Sequence, residues 1–451
     1  MNHCVFSPFS GVLDSLNESD TYSARLWGSY PHYVYKQLRC GMKNNTNQVS
    51  VWCIVSLASI PLVMTLGNSM LIPVLPILED KVGITSFQSS MIITSYSVAA
   101  IILIPIAGYL SDRFGRKMVI LPSLVLALIG GLVAGFASWK MDDPYTVIII
   151  GRILQGIGAA GAMPIVLPLV GDLSHDDEEK TSSTLGIIET SNTFGKVLSP
   201  ILGSLFAAAL WFLPFFSISA LSLISIMLIF FCVKVPKEKD EPITFKEFLS
   251  STKEVFKSEG KWLYTVFLNG VLVMLILFSM LFFLSENLEK VHHIKGIKKG
   301  FVLAIPLLLL CIASFISGRS IKGNIKTIKT LMVASLIMMS ASVVFVGFTS
   351  KKLFLLLAVT SLVSIAIGAM LPALDAIITD NIEKSLRGTV SSFYSSARFI
   401  GVAAGPPVMS LVMKNMLNVS YITAGVLGLI LLFVVWKFIK TEDIKRPEES
   451  T

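Results

Sequence analysis

The 451-residue sequence predicts an all-α polytopic membrane protein, with twelve transmembrane helices in two six-helix halves. Composition is the first reason: 53% of residues are hydrophobic and 15% charged, and the mean hydropathy of +0.74 lies above that of water-soluble domains. The second is pattern. Apolar stretches long enough to cross hydrocarbon, about 20 residues each, recur between short polar breaks from Val51 to Ile439. The third is arrangement, since the stretches fall as six, a break, and six more.

Residues 1–48 form a polar arm without a signal-peptide core, expected to be poorly ordered. The first half, 49–233, holds apolar stretches at 51–76, 90–110, 118–138, 145–170, 183–208 and 211–233. Residues 234–261 alternate Lys with Glu and Asp around Pro236 and Pro242, as a solvated linker does. The second half, 262–440, holds stretches at 262–284, 300–317, 329–349, 352–377, 389–413 and 419–439, and 441–451 is a tail. If the N-terminus is cytoplasmic, 25 of the 37 Lys and Arg fall in inner segments and 9 in outer loops, which places both termini inside.

The halves repeat. With a shift of 206 residues, GKVLSPILGS from Gly195 aligns with GVAAGPPVMS from Gly401, so that Pro200 falls on Pro406, and each stretch lies in the fifth helix of its half. Two related six-helix halves with a site between them near mid-membrane are an architecture of alternating-access transporters.

Other chemistries find little support. Cys4, Cys40, Cys53, Cys232 and Cys311 include no CxxC pair and no metal spacing with the histidines, so neither a metal nor a cofactor is expected. The net charge of +8 sits mainly in loops flanking apolar segments, where topology explains it without nucleic acid. Gly156-Ile-Gly158-Ala-Ala-Gly161 fits GxGxxG but follows no strand; close helix packing accounts for it. No nucleophile and base pair marks a membrane enzyme, and no phosphate loop suggests ATP drive.

Between the second and third stretches stand Gly108, Asp112, Arg113, Gly115, Arg116 and Lys117, in GYLSDRFGRK. Gly108 allows close helix approach, Gly115 a tight turn, and the basic residues hold the loop at the cytoplasmic face. This run resembles the signature loop of the major facilitator superfamily almost position for position. The resemblance implies that Asp112 locks an inner gate by meeting the positive end of a helix in the other half. In SGRSIKGNIK, the counterpart after the eighth stretch, Lys322 takes the place of the aspartate, so the gate is not expected to be symmetric.

Arg152, in IIIGRILQGIGAAG, resembles the superfamily's helix 4 motif; proton coupling and a structural ion pair both fit it. Gly195, Ser199, Pro200 and Gly203 resemble the antiporter motif GxxxGPxxGG, with Ser199 and Ser204 in place of glycines. On the same helix Glu189, Asn192 and Lys196 share one face at helical spacing. Glu189 is a candidate proton carrier, although burial and Lys196 act on its proton affinity in opposite senses. A structural network is the other reading. Arg398 is placed to pair with Glu189 or Asp375 across the cavity or to snorkel, and Phe194, Phe393, Tyr394, Phe399 and Trp211 are candidate cavity walls. Pro73 and Pro76 resemble the paired prolines of drug exporters, and the run Asp176 to Glu179 reads as a solvated loop.

The resemblance covers roughly 50–440 and implies a monomeric, proton-coupled efflux antiporter in a bacterial plasma membrane. It would export small amphipathic compounds or drugs, with protons, solute and membrane lipids as its partners. The nearest alternative is an exporter or flippase of an endogenous metabolite or lipid. A transport-incompetent receptor or scaffold stands further off.

Overall fold

In a computed structural model, the chain is described over residues 50–439, apart from 175–177, 235–249, 251–252, 254–255, 258–259, 322–323, 383 and 414. The expectations for the 1–48 arm, most of the linker, Asp176 and Asp177, Lys322 and the tail lie outside these residues.

The first span is built in pieces: α1 (Val51–Ser69), a 3-10 turn at Ile72–Val74 and α2 (Leu75–Val82). Pro73 and Pro76 sit at this break, where each withholds a backbone donor. Next come α3 (Ser86–Phe114) and α4 (Arg116–Lys140). Thr85 caps α3: its hydroxyl accepts from Gln88 N at 3.2 Å, and its own N–H donates to Gln88 Oε1 at 2.9 Å. Gly115, at φ +95°, turns the chain directly from α3 into α4, which explains the glycine in the signature loop.

The fourth span, read from sequence as continuous, is two helices, α5 (Tyr145–Ala162) and α6 (Val166–Ser174), parted by a turn around Pro164. Then follow α7 (Glu178–Ala209), α8 (Leu213–Cys232), α9 (Gly260–Lys290), α10 (Gly296–Ile321), α11 (Ile325–Phe348), α12 (Leu353–Asn381), α13 (Lys384–Val412) and α14 (Leu417–Phe438).

Ten spans are long and apolar enough to cross a membrane, among the described residues. The other two long helices, α7 and α13, carry Glu189 and Lys196 and Arg398 respectively. Both are among the spans that bring charge into the interior.

These helices also join the halves: α3 packs along α13, and α7 along α10. Thr94 Oγ1 donates to Ala403 O at 2.8 Å and Ser396 Oγ to Ile101 O at 2.6 Å. Within each half the repeat is visible in packing. Gly195 lies against Leu62 and Thr65 of α1, and Gly401 against Val271 and Leu275 of α9; the shift of 206 that relates the two glycines also relates Thr65 to Val271. Exposed Phe231, Phe354 and Trp436 clad the outside, where lipid rather than water is the fitting solvent.

Candidate functional site

Three helices from both halves carry a cluster of four charges. Glu189 and Lys196 come from α7, Asp375 from α12 and Arg398 from α13. Arg398 Nη1 donates to Asp375 Oδ1 at 3.2 Å, and its guanidinium lies 5.5 Å from the Tyr394 ring centre. Glu189 accepts from Asn192 Nδ2 at 3.2 and 3.4 Å, and Asn192 Oδ1 accepts from Thr65 Oγ1 at 2.6 Å. Asn192 thus ties the carboxylate to α1.

Lys196 is different. Its Nζ is buried and makes no hydrogen bond among the described residues. Glu189, Asp375, Arg398 and Cys311 are the ionisable groups that face it. Its side chain lines a narrow cavity between the halves, with Ser69 and Pro200 on one side and Leu277, Leu281, Leu303 and Leu307 on the other. The Tyr394 hydroxyl is also buried without a partner, and faces Asp375, Arg398 and Glu189.

The remaining candidates are distributed. Phe393 meets Phe256 edge-on at 6.2 Å, Phe399 lies 6.4 Å from Tyr96, Trp211 packs on Phe212 at 5.8 Å, and Phe194 is 49% exposed. In the α7 motif, Ser199 Oγ donates to Gly195 O of its own helix at 2.6 Å, while Gly195 abuts Leu62 and Thr65 and Gly203 abuts Met70, so the two glycines seat α7 on the first span. This seating also carries Lys196 into the interior.

Arg152 does not join the cluster. It is fully buried and donates to Ile92 O (2.9 Å), Gly67 O (3.0 Å), Gln155 Oε1 (2.5 Å) and Asn68 Oδ1 (3.0 Å), with its guanidinium 4.6 Å from the Tyr96 ring centre. All these partners belong to the first half.

At the signature loop, Asp112 is paired with Arg116, whose Nε also donates to Asp172 Oδ2 at 3.0 Å. Arg113 Nη1 donates to the Tyr109 hydroxyl at 3.1 Å, and Lys117 Nζ to the carbonyls of Phe230 (3.0 Å) and Val233 (2.6 Å). In this conformation these contacts stay in the first half. Gly108 of the loop faces the second half, against Ser392 of α13.

Sequence reading missed a second charged group at the opposite end of the bundle. Lys290 Nζ lies 2.9 Å from Glu79 Oε2 and 2.5 Å from Glu286 Oε2, and Ser86 and Ser89 donate to Glu79 at 2.9 and 2.7 Å. Beside them Lys299 and Glu289 pair at 2.7 Å with side chains only 1% and 8% exposed. Ser285 Oγ adds a bond to Ile72 O at 3.0 Å. Glu79 and Ile72 are in the first half, Ser285, Glu286 and Lys290 in the second, so this end is tied shut. The available signal was Glu286 and Lys290 one helical turn apart, directly after an apolar run.

The profile of the Major Facilitator Superfamily matches residues 57–350 and 326–451. The chain belongs to the major facilitator superfamily. This is a superfamily of membrane transporters, not enzymes, and its twelve-helix fold is the one described above. The chain is 51% identical to the bacillibactin exporter of Bacillus subtilis over 88% of its own length and 98% of that protein's. It is 25% identical to multidrug resistance protein 2 of the same organism over 88% and 98% of the two chains. Among solved structures, a D-xylose-proton symporter superposes with a TM-score of 0.70 at 15% identity, covering 88% of this chain and 100% of the symporter. That likeness shows the fold alone. The protein is thus a polytopic membrane transporter whose relatives include efflux proteins.

Proposed function

We propose that this chain exports an endogenous metabolite of the kind handled by the bacillibactin exporter, by alternating access of its two halves and in exchange for protons. The observation that carries the reading is 51% identity sustained over 98% of that relative. The multidrug protein shares the frame with half the identity. The groups between the halves also suit a polar or acidic solute better than a lipophilic cation: Glu189, Lys196, Asp375, Arg398 and the Tyr394 hydroxyl converge there.

Intramembrane carboxylates are the natural proton acceptors. Protonating Asp375 would free Arg398 from its 3.2 Å pair, altering charge where α7, α12 and α13 meet. A local change of this sort biases a two-state element. The protein works as a monomer in the lipid of a bacterial plasma membrane, with both termini and the signature loop inside and the Glu79–Lys290 end outside.

The experiment is bacillibactin release from cells, with wild type and Asp375→Asn compared before and after the proton gradient is collapsed. Wild type releases bacillibactin, and both the uncoupler and the substitution abolish release. If bacillibactin stays inside while a lipophilic cationic dye leaves in a gradient-dependent manner, drug efflux, to which the α7 motif and the multidrug relative point, replaces this reading.

A further inference from the structure

We infer that Lys196 is the specificity-determining residue of the central cavity, and that it anchors an acidic oxygen, carboxylate or phenolate, of an amphipathic organic ligand. The inference rests on the metabolite-export reading and names the chemistry of its solute.

Three observations carry it. First, Lys196 offers up to three N–H donors, and its Nζ, shielded from solvent, uses none of them among the described residues. A buried ammonium without hydrogen bonds is costly, so the arrangement is incomplete until a ligand arrives.

Second, the carboxylates that face Lys196 are already engaged. Asp375 is bonded to Arg398 at 3.2 Å, and Glu189 holds Asn192, which is itself fixed by Thr65 at 2.6 Å. Arg398 has a carboxylate partner, and Arg152 makes four hydrogen bonds within the first half. Of these three interior cations, Lys196 alone makes no hydrogen bond among the described residues.

Third, the space beside it has a definite character. Leu277, Leu281, Leu303 and Leu307 form an apolar wall opposite the α7 side of the cavity. A ligand that satisfies both features has an apolar body and an oxygen acceptor. The same ammonium repels an amphipathic cation, so Lys196 both selects and excludes.

The test uses purified full-length protein and two probes of nearly equal shape, salicylate and its neutral amide, with ethidium as the cation. Wild type binds salicylate at least about tenfold more tightly than salicylamide, the scale of one buried charge-assisted hydrogen bond. Lys196→Gln erases that preference and gains affinity for ethidium, whereas Lys196→Arg keeps the preference within about threefold. A wild type that treats the two probes alike, or a preference that survives in Lys196→Gln, overturns the assignment. Should Lys196→Gln fail to accumulate, the wild-type comparison and Lys196→Arg decide. Bacillibactin release by wild-type cells tests the parent reading separately, since it can succeed where Lys196 proves irrelevant.

Discussion

Lys290, at the end of α9, reaches Glu79 of α2 at 2.9 Å while standing 2.5 Å from Glu286 one turn behind it, so one ammonium links a carboxylate from each half. Lys290 is 51% exposed, and an ion pair of that exposure contributes at most about 1 kcal/mol. That suits a contact which must break in every cycle. Glu79→Gln, which removes the pair between the halves and leaves Lys290 on Glu286, is expected to shift the population opened at this end by about twofold to fivefold. The measurement is the labelling rate of a cysteine placed at Ile72, beneath the latch, in a background without the native cysteines. Equal rates in wild type, Lys290→Met and Glu79→Gln would show that the pair does not hold this end closed.

The neighbouring pair has a different role. Lys299 and Glu289 are both buried and lie in the same half, so they move together. Lys299→Met strands the Glu289 carboxylate, whose other cation, Lys295, is 3.9 Å away and 65% exposed. Leaving a buried charge unpaired costs about 3–5 kcal/mol, whereas replacing both partners by apolar groups is often neutral. The single variant should melt well below wild type, and Glu289→Met combined with Lys299→Met should recover most of the loss. A single variant as stable as wild type would remove the pair from the account.

A third expectation concerns the seat of α7. A side chain at Gly203 would run into the Met70 carbonyl, so Gly203→Val must push α7 off the first span. Overpacking of this kind costs about 1–3 kcal/mol, and here it also displaces Lys196, two turns away. Transport should fall further than stability does. If the two fall in step, the motif serves packing alone.

Much of the fold was legible because hydrocarbon imposes its length on every span. The stretches read at 90–110 and 118–138 lie inside α3 and α4, and Gly115 marked the turn between them. Hydropathy failed where charges pair with one another instead of with water. The stretch ending near 284 continues as helix to Lys290, and the one starting at 300 begins at Gly296, because the buried Glu286 and Glu289 are paired with Lys290, which is half exposed, and with the buried Lys299. A window that scores each residue alone reads those four as loop. The face of Glu189, Asn192 and Lys196 was visible from spacing. That Asn192 rather than Lys196 engages Glu189 depends on Thr65, 127 residues away, which no local pattern contains.

Arg152 is the clearest case in which one substitution separates two roles. Its guanidinium reaches α1 through Gly67 and Asn68, α3 through Ile92 and its own helix through Gln155. Lysine keeps the charge but is a single point donor and cannot span acceptors on three helices. Losing two or more charge-assisted bonds of about 1.5–3 kcal/mol each should lower stability by roughly 3 kcal/mol or more. Arg152→Lys is therefore expected to reduce yield and melting temperature, while the transport that remains keeps its dependence on the proton gradient. A variant of normal stability whose transport no longer responds to the gradient would instead give Arg152 a place in coupling, and the four acceptors would then be what holds it ready.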